Sequence, residues 1–374
     1  MRVGFFSPLP PARTGVADYS AALLGAMRGS GTVLANHDGD VNLYHLGNNA
    51  LHREIYQRAL EEPGIVVLHD AVLHHFFLGE LGKEVYVTEF TYNYGAWTRE
   101  LAARLWAGRA RSAADPLYFR YPMLRRIVER SRAVIVHNAR AEALAREHGA
   151  AGNVHRIPHL FEPPALAPEY EVIRLRERLG VRSSDLLFAV FGHLRETKRI
   201  STVLRAFARV RREQKNVKLL VAGEFASRDL ALALAGELDA EGVIRTGYLP
   251  GQDFFLHAAA TDVCLNLRCP SAGETSGIAV RLMGMGKCVA VTEGEETSAF
   301  PQGAVLRVDA GPAEEEMLTA FLFWLARNPS KAREIGDRAA AFIGEFHALP
   351  RVAAEYWRVI TGCYDEGQSS SAVT

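Results

Sequence analysis

Short apolar runs alternate along this chain with segments whose apolar residues recur every three or four positions. RVGFFSP opens as a strand and breaks in a proline-rich turn; Thr14 and Gly15 then lead into VADYSAALLGAM, which carries the helical period. VNLYHLG and GIVVLHD predict further strands, followed by the helices HREIYQRALEE and VLHHFFLGEL. Residues 96–130 read as a helical stretch, and AVIVHN as a buried strand before the helix ARAEALAREHG. Strands apolar on both faces and separated by helices predict a parallel sheet covered on both sides.

The alternation stops at PHLFEPPALAPEYE, residues 158–171, where Pro158, Pro163, Pro164 and Pro168 predict an interdomain linker. It then restarts. DLLFAVFG, VKLLVAG, VIRTGYL, TDVCLNL, KCVAVTE and AVLRVD predict strands, and ISTVLRAFARVRRE and RDLALALAGELDAEG predict helices between them. EEMLTAFLFWLARN and KAREIGDRAAAFIGEF supply closing helices, and a Tyr- and Trp-bearing helix at about 350–365 is expected to cross back to the first domain. The expectation is an α/β chain with two doubly wound domains, 1–160 and 170–346, facing a central cleft. Ligands of such sheets bind at the carboxyl ends of the strands, so the loops after the strands become the candidate sites.

Composition changes this picture little. The chain has 374 residues, enough for two cores, and its 43 Lys plus Arg balance 43 Asp plus Glu, which gives no reason to expect a nucleic-acid partner. Cys264, Cys269, Cys288 and Cys363 lack paired or zinc-type spacing and read as reduced thiols, so neither a disulfide framework nor a metal site is expected. The start, MRVGFFSPLPPARTG, is too short an apolar run for a leader, and no long apolar segment follows, so a cytoplasmic protein is expected. Arg99, Arg104, Arg109 and Arg111 cluster near Trp97 and Trp106; a solvated helix face is the plainer reading, and peripheral contact with an anionic membrane the alternative. DEGQSSSAVT reads as a frayed tail.

Two loops of the second half suit an anion. Gly192-His193-Leu194-Arg195-Glu196-Thr197-Lys198-Arg199 follows a strand and precedes a helix, placing three cations within five positions. In CPSAGETSGIAVRLMGMGKCVAV, Glu274, Thr275, Ser276 and Gly277 stand before a helix start, where backbone N–H groups and hydroxyls face outward; Thr275 or Ser276 equally suits a plain N-cap. In the first half, His69 and Asp70 end one strand, Gly47-Asn48-Asn49 with His52 another, and His137 and Asn138 a third. Tyr92-Asn93-Tyr94-Gly95 reads as a loop suited to stacking or hydroxyl contact, or to packing. His74 and His75 read as structural.

Several of these stretches together resemble the retaining, family-4 type glycosyltransferases of GT-B fold. The matches are G-x-L-x-x-x-K at 192–198, VAG at 221–223, TGYLP at 246–250 and the GETSG…R…GMGKCVAV segment, with SPLPPARTGVADYSAALL, GNNALHREIY, PGIVVLHD and AVIVHNARAEALA in the first half. The resemblance implies a donor-binding second domain in which Lys198 grips the diphosphate. His193 stands where the family's arginine is usual, and Arg195 is placed to supply that charge. Glu274 matches the first carboxylate of the family's carboxylate-x7-carboxylate motif, while Arg281 stands in place of the second, a departure resembling a variant branch.

The resemblance also implies that Gly15 lies near the donor phosphates and that His69 lies beside the reacting centre. Asp18, Tyr19, Asn48, Asn49, Asp70, Tyr92, Asn93 and His137 then fall on the acceptor side. The implied reaction moves a sugar from a UDP- or GDP-linked donor to a hydroxyl acceptor, a glycan, glycolipid or small molecule, with retention and with no added cofactor. The alternatives are a non-catalytic sugar- or nucleotide-binding subunit, or an epimerase or phosphorylase on the same plan.

Overall fold

The computed structural model describes residues 1–149 and 152–371, with side chains through Glu366. Contacts divide the chain into two units. One comprises Met1–Leu160, Pro270–Thr275 and the chain from Phe346 onward; the other comprises Phe161–Cys269 and Ser276–Glu345.

The first unit is built on six parallel strands: β1 (Arg2–Phe6), β2 (Thr32–Ala35), β3 (Val41–Leu46), β4 (Ile65–Leu68), β5 (Ala133–Val136) and β6 (Val154–Arg156). They lie in the order β2-β1-β3-β4-β5-β6. Successive residues face opposite sides of the sheet, so Ile65 and Val67 of β4 enter one core with Leu23, Met27 and Tyr356, while Val66 and Leu68 enter another with Phe76, Phe90 and Leu105. The helix Leu349–Ser371 packs against the helix Gly15–Arg28 in this unit.

The second unit carries β7 (Leu186–Phe191), β8 (Val217–Ala222), β9 (Val243–Arg245), β10 (Val263–Asn266), β11 (Cys288–Thr292) and β12 (Leu306–Val308), again all parallel. Their order, β12-β11-β10-β7-β8-β9, reverses direction between β7 and β10. Phe188 and Val190 feed one face, and Leu187, Ala189 and Phe191 the other. Both sheets are therefore doubly wound, and each has a switch point: β1/β3 in the first unit and β7/β10 in the second.

The structure alters some expected elements. The stretch 96–130 is two helices, Arg99–Gly108 and Arg125–Arg130, joined by tight turns and extended chain. RDLALALAGELDAEG divides into Arg228–Ala233 and Ala235–Leu238, and VIRTGYL keeps only Val243–Arg245 as strand because Gly247 and Pro250 follow at once. β2, β6 and the helices Glu169–Arg178 and Gly251–Ala260 are additional to the expected elements. The expected tail is helical through Ser371; the remainder of it lies outside the described residues. Among the described residues no helix is long and apolar enough to cross a membrane.

Candidate active site

In the second unit the switch point carries the loops after β7 and β10. Gly192 follows β7 with a φ of +86°, where side chains are disfavoured, and an added Cβ would stand 2.5 Å from Ile278 Cδ1 and 3.1 Å from Lys198 Nζ. That absence of a side chain lets the helix beginning at Gly277 and the Lys198 ammonium close on the strand end. Lys198 sits on a single 3-10 turn, Glu196–Lys198, and its Nζ donates to the Phe191 carbonyl. Only 7% of it is exposed, so a cation is held at the strand tip. His193 and Arg195 are exposed beside it; partial burial first, then the Arg195 and Lys198 charges, lower the His193 pKa. Arg199 is differently engaged: its guanidinium bonds buried Glu314 at 2.6 and 2.8 Å.

The loop after β10 adds a residue that sequence reasoning missed. Arg268 donates from Nη2 to Ser276 Oγ at 3.2 Å, and Ser276 in turn bonds Asn266 Oδ1 and caps the helix Gly277–Gly284 through Ala279 N–H. A guanidinium thus stands at a helix N-terminus at the switch point, the electrostatic arrangement expected for an anion. Its sequence signal is an arginine two positions after a buried strand, a weaker pattern than the GETSG stretch that follows. Ser276 is the N-cap, and Thr275 is not. Arg281 lies one turn into that helix, half-buried.

Glu274 and Thr275 belong with the first unit. Glu274 Oε2 accepts from Ala272 N–H at 2.8 Å and from Ser271 Oγ at 3.2 Å, so this carboxylate also shapes its own loop. The loop is fixed by the strand ends of the unit: Ala71 N–H donates to the Ala272 carbonyl at 2.9 Å, and Asn138 Nδ2 reaches the Gly273 carbonyl at 2.9 Å and Thr275 Oγ1 at 3.0 Å. Gly273, at φ +74°, leaves no room for a side chain, since a Cβ would stand 2.8 Å from Ala71 Cβ.

Around β1 and β3, Gly15 is exposed at the start of its helix, capped by Thr14, and an added Cβ would meet nothing within 4 Å. Asp18 is exposed on the same turn. His69 follows β4, is 9% exposed, and shares a 2.9 Å hydrogen bond between its Nε2 and His45 Nδ1. Burial first, then the neighbouring His137, His45, His159 and His52, hold its pKa well below the usual histidine value. Asp70 accepts from Asn48 N–H at 2.7 Å; Asn48 Oδ1 accepts from Phe76 N–H, and Asn49 Oδ1 from Leu51 N–H, so both asparagines build the turn.

Three acceptor-side expectations change. Tyr19 is 1% exposed and its hydroxyl bonds Tyr356, because the helical period turns it into the core while Asp18 faces out. His137 is buried, donates Nδ1–H to the Ile157 carbonyl at 2.9 Å, and burial pushes its pKa down to about 4. Tyr92 and Asn93 are not in a loop: they end the helix Lys83–Tyr94, which Gly95 terminates. There Tyr92 bonds Glu129 under the Arg126 guanidinium, and Asn93 is buried against Glu89 and Arg125. His74 and His75 are structural, bonded to the Tyr118 and Ser112 carbonyls. Among the described residues no group of three His, Cys, Asp or Glu is placed to hold a metal ion.

Residues 185–321, which contain both switch-point loops of the second unit, match the family model for glycosyl transferases group 1. That segment is a glycosyltransferase domain. The chain is accordingly an enzyme of the glycosyltransferase class. No curated protein matches it in sequence. Solved structures show its fold to be GT-B. Anabaena HepE, in complex with UDP and glucose, superposes with a TM-score of 0.65 at 14% identity, covering 97% of this chain and 100% of that one. Sucrose-phosphate synthase from Thermosynechococcus elongatus gives 0.69 at 14% identity, over 98% and 100%. WaaG, a glycosyltransferase involved in lipopolysaccharide biosynthesis, gives 0.62 at 14% identity, over 96% and 100%.

Proposed function

We propose that the protein is a retaining glycosyltransferase that takes a sugar from a UDP-linked donor and delivers it to a hydroxyl acceptor. The observation that carries this reading is the pair of cationic loops at the β7/β10 switch point inside the glycosyltransferase domain: Gly192 with Lys198, and Arg268 with the Ser276-capped helix start. The choice of uridine is supported by HepE, which was solved with UDP and with UDP-glucose. Residues 170–346 are the donor side and 1–160 the acceptor side.

As the bond between sugar and diphosphate breaks, negative charge grows on the departing phosphate oxygen. Lys198, Arg268, Arg195 and the N–H groups at Ser276 and Gly277 stabilise that charge, a mainly electrostatic form of catalysis. Gly15 leaves room for the phosphates, and Glu274 orients the sugar hydroxyls. His69 stands beside the reacting centre. Arg281 stands where the resembled motif has its second carboxylate, so the ribose contact of that motif is not carried over to it.

The deciding experiment is a thermal-shift panel of nucleoside diphosphates and nucleotide sugars on the wild type and Lys198→Ala, followed by assay of donor turnover. Losing a charge-assisted hydrogen bond of about 1.5–3 kcal/mol weakens UDP binding roughly 10- to 100-fold. A shift with UDP-sugars that Lys198→Ala reduces supports the reading. No shift with any nucleotide overturns it, and so does a shift with no turnover of any donor.

A further inference from the structure

We propose that His45 is a positioning residue for His69, fixing it as the neutral tautomer that carries its proton on Nδ1. His45 lies on β3 beside β4, paired with Val67, and is fully buried. Its Nδ1 faces His69 Nε2 at 2.9 Å, so one ring must donate and the other accept. The direction follows from the other end of His45. Its Nε2 is buried and has no partner among the described residues. Were the ring's proton there, a buried N–H would be orphaned, costlier than a bare ring nitrogen. The proton therefore sits on Nδ1 of His45 and is donated to His69.

The same core holds two internal precedents. His52 meets the His45 carbonyl through Nδ1 at 2.9 Å, and His137 meets the Ile157 carbonyl in the same way. A carbonyl only accepts, so both rings carry the proton on Nδ1, and both leave a buried bare Nε2. His45 repeats that pattern with His69 as the acceptor. Its ring is held in place by Phe5, 4.6 Å away between centroids, and by Tyr356, at 6.4 Å.

The consequence concerns what His69 can do. With its Nε2 lone pair engaged and its proton on Nδ1, it offers a hydrogen bond and has no free lone pair with which to abstract a proton. It acts as a donor towards a sugar or phosphate oxygen and not as a general base. This role rests on the reading that His69 stands beside the reacting centre, whereas the tautomer does not.

The test is nitrogen NMR on protein labelled with 15N-histidine, with His69→Gln used to assign the His69 signals. In the wild type, His69 should show a protonated Nδ1 and an unprotonated Nε2. His45→Asn, whose amide can donate from the place of Nδ1, should keep that signature, and His45→Phe should lose it to a mixture of tautomers. Donor turnover should fall about 10- to 100-fold in His45→Phe with KM unchanged and be largely restored in His45→Asn. A protonated Nε2 on wild-type His69, or a signature unmoved in His45→Phe, overturns the proposal. Should His45→Phe not fold, the wild-type and His45→Asn spectra decide it. A wild-type signature as stated, with full turnover in His69→Ala, overturns instead the placement of His69 at the reacting centre.

Discussion

Tyr19 and Tyr356 share a buried hydrogen bond of 2.9 Å across 337 positions of sequence. It joins the helix Gly15–Arg28 to the helix Leu349–Ser371, in a core where both rings are fully enclosed. Removing one hydroxyl strands the other: Tyr356→Phe should cost about 1–3 kcal/mol, whereas Tyr19→Phe/Tyr356→Phe should recover much of that loss. Denaturant melts of the two single variants and the double variant complete the cycle. Strict additivity would show that the hydroxyls do not interact.

A substitution at Gly15 can separate ligand approach from stability. Since an added Cβ meets nothing within 4 Å, Gly15→Ala should leave the melting temperature within about a degree or raise it slightly. Donor binding should nonetheless weaken if phosphate oxygens approach that backbone. Calorimetric titration of UDP against both proteins reads the difference, and unchanged affinity would remove Gly15 from the donor site.

Asn138 does two things with one side chain: Oδ1 caps the helix Ala139–Glu147, and Nδ2 holds the Gly273–Thr275 loop. Asn138→Ala should lose about 1 kcal/mol for the cap and more for the stranded loop carbonyl. Asn138→Asp keeps the cap and adds favourable charge at the helix start, but loses both donations to the loop. It should melt closer to wild type while amide exchange at residues 271–275 accelerates and turnover falls. Equal exchange in the two proteins would show that Nδ2 does not hold the loop.

Buried imidazoles set an acid limit on stability. Burial lowers the pKa of His52 and His137 to about 4 and of His74 to about 3, while unfolded histidine titrates near 6.5. Below about pH 6.5 the unfolded chain binds more protons than the folded one, so stability is intact above that pH and falls as pH drops towards 4. Each of the three should lose about 2 kcal/mol between pH 6.5 and 5. Denaturant midpoints over that range should fall steeply, and His137→Asn should flatten the slope.

The alternation of strand and helix was legible because apolar runs such as LLFAVF and AVIV are buried on both faces. β2 and β6 were not, because TVLA and VHR are too short and mixed to stand out. Tyr92 and Asn93 looked like loop residues through their polarity, yet their helix survives because Asn93 finds buried partners in Glu89 and Arg125. Gly192 and Lys198 were legible through local chemistry. Arg268 and His45 were not: what they do depends on residues 8 and 24 positions away, which no local pattern reports.

The helix that seals Leu23, Met27 and Tyr19 is synthesised only after both sheets. Val352, Tyr356 and Ile360 emerge only after every strand of the second sheet has been synthesised. The sheet of the first unit precedes that of the second in the chain but is covered after it, so its apolar face waits uncovered while the later sheet can already close. A premature stop shortly before Leu349 should therefore yield a chain whose second sheet is whole and whose first exposes a seam, prone to aggregate with its own copies.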